Sequence, residues 1–303
     1  MSKPHDASTG SAAEARSTTG GGSAPDAWTP KVVALDIDGT LLAWVEGRGT
    51  THEEVRPAVH EAVQRAHDAG AHIVLASGRS PHGMVSVADL LGLHDDGHDP
   101  LWVVASNGAV VFRYPPLEIV HEVTFDAREA VRAVLAEHPD AMVAVEERGV
   151  GYRLNRHFPP GELSGEMIVS DVEEMIAEPV SRVIIRDPEA TAEDFVATAA
   201  RLGLHGTNYV VGWTAWLDLS PVGVHKASGL ADVCQRLGVD RADVLAIGDG
   251  RNDMEMLRWA GRGVAMGQSV EEVRAAADGV TGTVYEDGVA DELARWFPDG
   301  SLA

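Results

Sequence analysis

The sequence predicts an α/β fold in which a doubly wound parallel sheet carries an inserted α+β domain. Three observations lead to this prediction. Short apolar runs near the start of the chain alternate with helical patterns, as they do in parallel sheets that are covered on both faces. Between residues 113 and 222 the pattern changes to α+β texture, and after it the β-α alternation returns. Right-handed crossovers would wind the two outer segments into one sheet.

The amino-acid composition limits the classes of function. The chain of 303 residues has 47 Asp and Glu but 24 Lys and Arg side chains, which gives a formal net charge of −23. Nucleic acids and anionic membranes repel such a chain, so we expect neither as a partner. A single cysteine and the lack of an apolar run of about 18 residues predict a cytoplasmic protein with no disulfide and no membrane span.

The chain is predicted to have three parts. Residues 1–30 are rich in small residues and contain no Leu, Ile or Val, so we expect a disordered tail that buries too little apolar area to fold. A short docking peptide that depends on Trp28 is the alternative. The core domain is predicted over 31–112 and 223–303, and a second domain is inserted over 113–222.

Apolar runs and helical spacing predict the individual elements. Apolar residues at helical spacing over 55–66 predict a helix that ends at Gly70. The start of this helix is ambiguous, because Thr51 and Glu54 resemble a capping box whereas Pro57 favours the first helical turn. In the core, strands are predicted over 32–35, 73–76, 101–105, 244–247 and 264–266, and further helices over 226–238 and 253–260. In the inserted domain, helices are predicted over 126–137 and 192–202, and strands over 142–145, 180–185 and 209–211.

Four strand ends of the predicted core are unusually polar. In open α/β sheets, ligands bind outside the carboxyl ends of the strands, so the chemistry of the protein is expected in these segments. In chain order they are Asp36-Ile37-Asp38-Gly39-Thr40, Ser77-Gly78-Arg79, Ser106-Asn107-Gly108 and Gly248-Asp249-Gly250-Arg251-Asn252-Asp253.

Two pairs of aspartates in these segments predict a magnesium site. Asp36 and Asp38 lie on the same side of an extended strand end, where two carboxylates raise each other's cost of ionisation unless a cation or a shared proton intervenes. Asp249 and Asp253 follow another strand. Carboxylate oxygens suit Mg²⁺, which takes one or two of them together with a substrate phosphate. Considered separately, each pair is also typical of a solvated loop or of an Asp-capped turn.

Lys226 and Ser77 have the chemistry that an anion site needs. The chain has only three lysines, so an ordinary surface charge at 226 would more often be arginine, and a compact ammonium suits a small anion in a tight pocket. Ser77 is followed by Gly78 and offers a hydroxyl and exposed backbone N–H groups to phosphate oxygens. An exposed lysine and an ordinary turn are the alternatives for these two positions.

In their order along the chain, these motifs resemble those of the haloacid dehalogenase superfamily. The residues concerned are Asp36-Ile37-Asp38-Gly39-Thr40-Leu41, Ser77-Gly78-Arg79, Lys226, and Gly248-Asp249-Gly250 with Asn252-Asp253. The similarity spans essentially all of 31–303. The insertion between the second and third motifs, with Ser106-Asn107-Gly108-Ala109 before it, resembles the type IIB cap of the Cof-like phosphatases. The resemblance therefore implies a Rossmann-like core and, over 113–222, a cap that sets substrate specificity.

The resemblance implies a role for each motif residue. Asp36 would be the nucleophile that becomes an aspartyl phosphate. Asp38 would protonate the leaving oxygen and then activate water. Ser77 would hold a phosphoryl oxygen, and Lys226 would offset the charge of the phosphoryl group and of Asp36. Further substrate contacts are expected from Gly78, Arg79, Asn107 and Asn252.

The resemblance also implies a Mg²⁺ site built from aspartates, namely Asp36, Asp38, Asp249 and Asp253. Its direct ligands would be Asp36, Asp249 and the backbone carbonyl of Asp38. Asp253 and Asn252 would mainly support these ligands from behind.

These roles predict a Mg²⁺-dependent phosphatase that hydrolyses small phosphate monoesters, such as sugar phosphates. Asp38 favours this function, because dehalogenases lack the second aspartate and the ion-pumping ATPases have threonine in its place. Two alternatives stay open. A phosphosugar mutase would transfer the phosphoryl group to another sugar hydroxyl, and a non-catalytic protein would bind a phosphorylated metabolite without turnover.

Overall fold

Two β-sheets form the framework of the chain, as a computed structural model shows. The structure describes residues 28–44, 51–93, 99–202, 207–211 and 216–299. Most of the predicted tail, residues 1–27, lies outside this part of the chain. Trp28, on which a docking peptide would depend, packs edge-on against Trp296 with ring centroids 4.7 Å apart, and its Nε1 donates to Ala242 O at 2.8 Å.

Fourteen strands and nine α-helices lie in the described residues. The strands are β1 (Val32–Leu35), β2 (His72–Ala76), β3 (Leu101–Ala105), β4 (Val110–Tyr114), β5 (Glu118–Glu122), β6 (Met142–Glu147), β7 (Gly151–Leu154), β8 (Glu166–Val169), β9 (Val183–Arg186), β10 (Thr207–Val211), β11 (Trp216–Pro221), β12 (Val244–Gly248), β13 (Arg262–Ala265) and β14 (Gly279–Val280). The helices are α1 (Pro57–Asp68), α2 (Pro81–Leu91), α3 (Arg128–Glu137), α4 (Val172–Met175), α5 (Ala192–Leu202), α6 (Lys226–Leu237), α7 (Met254–Trp259), α8 (Glu271–Arg274) and α9 (Gly288–Ala294).

The larger sheet has eight strands in the order β14-β13-β12-β1-β2-β3-β4-β5. The first six of these are parallel, and β4 and β5 continue the sheet in antiparallel fashion. The register aligns Leu35, the last residue of β1, with Ile247 of β12 and Leu75 of β2. The loops after these three strands therefore emerge at the same edge. The predicted doubly wound parallel core is confirmed.

Each face of the larger sheet is covered by helices. Along β1, Val33 and Leu35 share a buried cluster with residues of α1, α2 and α9. Val32 and Ala34 point the other way and share a cluster with residues of α6, α7 and α8, which includes the buried Cys234. Burial on both faces explains why this strand is a continuous apolar run rather than an alternating one. None of the helices in the described residues has the length and apolar character of a transmembrane span.

The smaller sheet has six strands in the order β10-β11-β9-β6-β7-β8. Helices α3 and α5 cover one of its faces, where Val143 and Val145 of β6 are buried together with Phe195 of α5. The alternate residues of β6, Ala144 and Glu146, belong to the opposite face. This sheet and helices α3, α4 and α5 form the α+β cap that the inserted segment predicts.

The cap begins later along the chain than the sequence pattern indicates. The predicted insertion starts at residue 113, but β4 and β5 pair with β3 in the larger sheet. Residues up to Glu122 therefore belong to the core sheet. An antiparallel hairpin interrupts the β-α alternation, and for that reason the local pattern groups it with the inserted domain.

Candidate active site

Asp36 and Lys226 form the centre of the site. Asp36 follows β1 directly, and its backbone N–H donates to Ile247 O of the adjacent β12 at 3.0 Å. Lys226 is the first residue of α6. Its Nζ donates to Asp36 Oδ1 and to Asp253 Oδ1, both at 2.6 Å, and the residue is only 1% exposed. The lysine is therefore the buried partner of two aspartates and not a surface charge.

The start of α6 is fixed by a capping box. His225 Nδ1 accepts from the backbone N–H of Ser228 at 3.2 Å, and Ser228 Oγ accepts from the backbone N–H of His225 at 3.1 Å. The turn after β3 packs against this start, since a Cβ on Gly108 would lie 2.2 Å from His225 O. Gly108 also has a φ of +99°, which residues with side chains rarely adopt. These contacts set the position from which Lys226 reaches Asp36.

Asp253 holds both Lys226 and the turn that carries Asp249. One of its carboxylate oxygens accepts from Lys226. The other accepts from the backbone N–H groups of Asp249 at 3.0 Å and Gly250 at 2.8 Å. Although both oxygens of Asp253 are engaged in this way, one oxygen from each of Asp36, Asp249 and Asp253 lies within 4.8 Å of the other two. The three carboxylates thus form one compact cluster.

Asp249 meets the loop that follows β1. A Cβ on Gly39 would lie 2.1 Å from Asp249 Oδ2, and Gly39 has a φ of +90°, so glycine is needed for this approach. Gln268 links the two loops, because its Nε2 donates to Gly39 O at 2.6 Å and to Asp249 Oδ2 at 3.4 Å. Gln268 is not among the predicted residues. It follows the end of β13 by three positions, so the strand-end rule could have identified it.

Burial and mutual repulsion disfavour the charged forms of Asp36 and Asp249. Burial raises the pKa of Asp36 well above its usual value, and Asp253 adds to the shift while Lys226 opposes it. Burial and repulsion by Asp253 raise the pKa of Asp249 to about 6. Burial acts to lower the pKa of Lys226, but Asp253 and Asp36 outweigh it and shift that pKa upward. Three carboxylates share one ammonium, and a divalent cation that prefers hard oxygen ligands fits the remaining negative charge.

The Asp38 side chain belongs to a second network, with Arg79 and Thr51. Arg79 donates from Nε to Asp38 Oδ2 at 2.9 Å and from Nη2 to Asp38 Oδ1 at 2.5 Å. Thr51 Oγ1 donates to Asp38 Oδ1 at 3.2 Å and accepts from Arg79 Nη2 at 3.0 Å. Arg79, which the sequence suggests as a substrate contact, therefore pairs with the suggested acid in this structure.

Sequence patterns do not point to Thr51 as a site residue. Its spacing from Glu54 resembles a capping box, but α1 begins at Pro57, and Arg56 precedes the helix without a side-chain capping bond. Proline at the first helical position thus decides where the helix starts. The Thr51 hydroxyl donates to Asp38 instead. A pattern of neighbouring residues in the sequence does not predict such a contact between two separate loops.

Three strand-end turns meet around Ser77. Ser77 is buried, and its Oγ accepts from the backbone N–H of Arg79 at 3.2 Å. Asn107 donates its backbone N–H to Ser77 O at 3.0 Å, and its Oδ1 accepts from Asn252 Nδ2 at 3.0 Å. A Cβ on Gly78 would lie 3.1 Å from Asn107 Nδ2. All ten residues that the sequence suggests thus follow β1, β2, β3 or β12 or begin α6.

Known proteins of similar sequence and structure identify the family. The model of the family described as haloacid dehalogenase-like hydrolase matches residues 33–293. A phosphoglycolate phosphatase from Natronomonas pharaonis is 31% identical over 265 residues, which cover 87% of this chain and 96% of the relative. The 5-amino-6-(5-phospho-D-ribitylamino)uracil phosphatase YitU from Bacillus subtilis is 29% identical over 289 residues, which cover 88% of this chain and 98% of the relative.

A solved structure extends the similarity to the fold. It is the crystal structure of a haloacid dehalogenase-like hydrolase from Bacteroides thetaiotaomicron, which is 28% identical and superposes with a TM-score of 0.74. The match covers 88% of this chain and 100% of that one, so it includes the cap as well as the core. The resemblance that the motifs indicate is confirmed, and this chain belongs to the haloacid dehalogenase-like hydrolase family.

Proposed function

We propose that this enzyme hydrolyses small phosphate monoesters with the aid of Mg²⁺ and through an aspartyl phosphate on Asp36. The observation that carries the proposal is the buried contact between Asp36 and Lys226, which places a carboxylate nucleophile and a positive charge together at one strand end. The names of both relatives, each a phosphatase of a small phosphorylated molecule, support this reaction class.

The residues of the acidic cluster fit a magnesium ion. Asp36 and Asp249 offer carboxylate oxygens close to each other, and their raised pKa values indicate uncompensated negative charge at this point. These two side chains and the backbone carbonyl of Asp38 would hold the ion. Asp253, whose oxygens are engaged by Lys226 and by two backbone N–H groups, would support them. When bound, Mg²⁺ supplies a positive charge that polarises a phosphoryl oxygen.

Asp36 is the nucleophile of the proposed reaction. Lys226 donates to Asp36 Oδ1 and so keeps its positive charge next to the attacking carboxylate. A bond forms between a carboxylate oxygen of Asp36 and phosphorus, and the bond between phosphorus and the ester oxygen breaks. Lys226 stays charged beside the reacting atoms and stabilises the negative charge of the phosphoryl group as it is transferred.

Asp38 moves the proton in both halves of the reaction. The reaction requires Asp38 to be protonated when the substrate binds, so that it can give this proton to the ester oxygen as the alcohol leaves. It then takes a proton from the water that attacks the aspartyl phosphate and is protonated again. The second step releases phosphate and restores Asp36. Arg79 and Thr51 hold the Asp38 carboxylate in a hydrogen-bond network that is separate from the bond between Lys226 and Asp36. The separation gives the two aspartates different surroundings and different tasks.

The phosphoryl oxygens lie, in this proposal, among the turns that meet around Ser77. Its hydroxyl, the backbone at Gly78 and the amides of Asn107 and Asn252 converge there and offer hydrogen-bond donors. The cap would cover the alcohol portion of a small phosphorylated metabolite and exclude water during the transfer.

Release of inorganic phosphate tests the proposal. The full chain and its Asp36→Asn variant are incubated with a panel of small phosphate esters, with Mg²⁺ or with EDTA. We expect release that requires Mg²⁺ and that the substitution abolishes. Formation of an isomerised sugar phosphate in the presence of a bisphosphate activator would indicate a mutase, and binding without turnover would indicate a non-catalytic protein. Either result contradicts the proposal.

A further inference from the structure

The turn over Ser106, Asn107 and Gly108 has a strained backbone. The φ angles of Ser106 and Asn107 are +50° and +52°, and Gly108, which has no Cβ to oppose it, has a φ of +99°. Residues with side chains rarely adopt this region, and such a conformation persists only where its surroundings enforce it. The turn carries Asn107, which contacts Asn252 and the backbone of Ser77 in the proposed phosphoryl site. The contacts that hold this turn therefore affect phosphate binding in the proposed site.

The core holds this turn through its backbone. Ser106 N–H donates to Arg79 O at 2.8 Å, and Asn107 N–H donates to Ser77 O at 3.0 Å. The N–H of Ala109 closes the turn by donating to Ser106 O at 3.1 Å. The side chain of Ser106, in contrast, makes its hydrogen bond outside the core.

The cap supplies the partner of that side chain. Ser106 Oγ donates to Oε2 of Glu146 at 2.6 Å, and Glu146 lies on β6 of the cap. Glu146 is only 7% exposed. Its other oxygen, Oε1, is buried and has no hydrogen-bond partner within the part of the chain that the structure covers. A buried carboxylate with half of its acceptors unused is costly, so its position calls for an explanation beyond packing.

Neighbouring charges do not satisfy Glu146 either. The cation that acts on it is Arg182, but the guanidinium of Arg182 is bonded to Asp218, from Nε to Oδ1 at 3.0 Å and from Nη2 to Oδ2 at 2.7 Å. Asp218 and Glu122 face Glu146 with like charge, and Tyr152 is a further titratable neighbour. Among the described residues, the hydrogen-bond partner of the Glu146 side chain is thus Ser106, in the strained turn of the core.

We propose that Glu146 is a positioning residue, which holds Ser106 when the cap lies on the core and so fixes the turn that places Asn107 in the phosphoryl site. The inference rests on the proposed phosphatase function and deepens it. Cap closure and phosphate binding are then coupled, because the core alone lacks one of the groups that hold the turn.

Turnover of p-nitrophenyl phosphate by the full chain in Mg²⁺ tests the inference. Glu146→Ala is expected to lower kcat/KM about tenfold or more, since it leaves the turn without its cap partner. Ser106→Ala removes the same bond, so the double variant should be no worse than either single one. Glu146→Gln keeps an oxygen that accepts from Ser106 and should restore most of the activity. The matched control is Glu147→Ala, which alters the next residue of β6, a partner of Arg153, and should leave kcat/KM unchanged.

An Asn107→Ala background separates positioning from structural support. If Glu146 acts through Asn107, Glu146→Ala causes no further loss of kcat/KM in that background. The same loss in both backgrounds, or additive losses for Ser106→Ala and Glu146→Ala, would overturn the inference, as would unchanged activity of Glu146→Ala. Asp36→Asn is run in parallel. If the wild-type chain shows no phosphate release that depends on Asp36, the proposed function itself has failed and the inference fails with it.

Discussion

Lys226 Nζ lies 2.6 Å from Asp36 Oδ1, and neither side chain is more than 6% exposed. Charges buried this deeply are costly unless they are paired, and a buried ion pair adds little net stability over an apolar pair of the same shape. Removing one partner, in contrast, leaves an uncompensated charge. The position of Lys226 is therefore better explained by the chemistry at Asp36 than by the stability of the fold.

Lys226→Met should impair both stability and turnover. It leaves Asp36 and Asp253 as buried carboxylates without their ammonium, so the free energy of unfolding in EDTA should fall by about 3–5 kcal/mol. Turnover with Mg²⁺ should fall by about a hundred- to a thousandfold. Urea unfolding and phosphate release measure the two effects. Lys31→Met, which removes an exposed partner of Asp243, is the control and should change little. Similar behaviour of the two variants would contradict the proposed role of Lys226.

Metal removal should expose the repulsion among the carboxylates. Burial and Asp253 raise the pKa of Asp249 to about 6, so in EDTA the folded protein binds more protons than the unfolded chain between about pH 4 and pH 6. Stability without metal therefore falls as pH rises through this window, and Mg²⁺ offsets the loss. The increase in melting temperature that Mg²⁺ causes should be larger at neutral pH than near pH 4.

Asp249→Asn provides the control for this effect. Without the charge, the variant should be more stable than wild type in EDTA at neutral pH and should gain little from Mg²⁺. An increase in melting temperature with Mg²⁺ that is equal at both pH values, or unchanged in Asp249→Asn, would count against a metal site at this cluster.

Thr51→Val should weaken proton transfer by Asp38. The substitution keeps the shape of the side chain but removes the hydroxyl that donates to Asp38, so kcat/KM should fall by about two- to tenfold. The loss should be larger for an alkyl phosphate, whose leaving oxygen needs a proton, than for p-nitrophenyl phosphate. Thr51→Ser retains the hydroxyl and should behave like wild type. An equal loss for both esters would show that Thr51 does not act through Asp38.

Glu146 should impose a pH-dependent cost on folding. Burial raises its pKa from 4.5 to about 7, against the opposing effects of Arg182 and the Ser106 hydroxyl. The folded protein retains a proton there that the unfolded chain releases, so the free energy of unfolding falls as pH rises from about 4.5 to about 7. Glu146→Gln lacks this cost. Its stability relative to wild type should therefore be about 3 kcal/mol greater above pH 7 than below pH 4.5, as urea unfolding at the two pH values would show. The same difference at both would contradict the expectation.

The centre of the site could be predicted because each part of it is marked by a short pattern, namely a strand and the residues that follow it. A run of buried residues such as Val32 to Leu35 marks a parallel strand, and the polar residues that follow it must lie at the ligand-binding edge. This rule brings Asp36 and Asp249 to one place without any knowledge of the structure. The unusual lysine at 226 completes the cluster, because a helix that starts at this edge points its first residues into the site.

The remaining contacts depend on the relative placement of distant elements. Arg79 follows a strand as a substrate contact would, yet its actual partner is Asp38, because the loops after β1 and β2 lie side by side. Thr51, which contacts Asp38, lies on a separate loop. Glu146, which contacts Ser106, lies in the cap, 40 positions further along the chain. No spacing rule relates such residues, since their proximity is a product of tertiary packing.

Trapping the phosphoryl group tests the central proposal most directly. In Asp38→Asn the base that activates water is missing, but p-nitrophenyl phosphate, whose leaving group needs little protonation, can still phosphorylate the enzyme. The variant is mixed with this ester and Mg²⁺ and quenched in acid, and its peptides are analysed by mass spectrometry. We predict a phosphorylated peptide whose modified residue is Asp36 and no phosphorylation when Asp36→Asn is added. Phosphorylation of another residue, or a burst of p-nitrophenol without a phosphorylated peptide, would contradict the proposal.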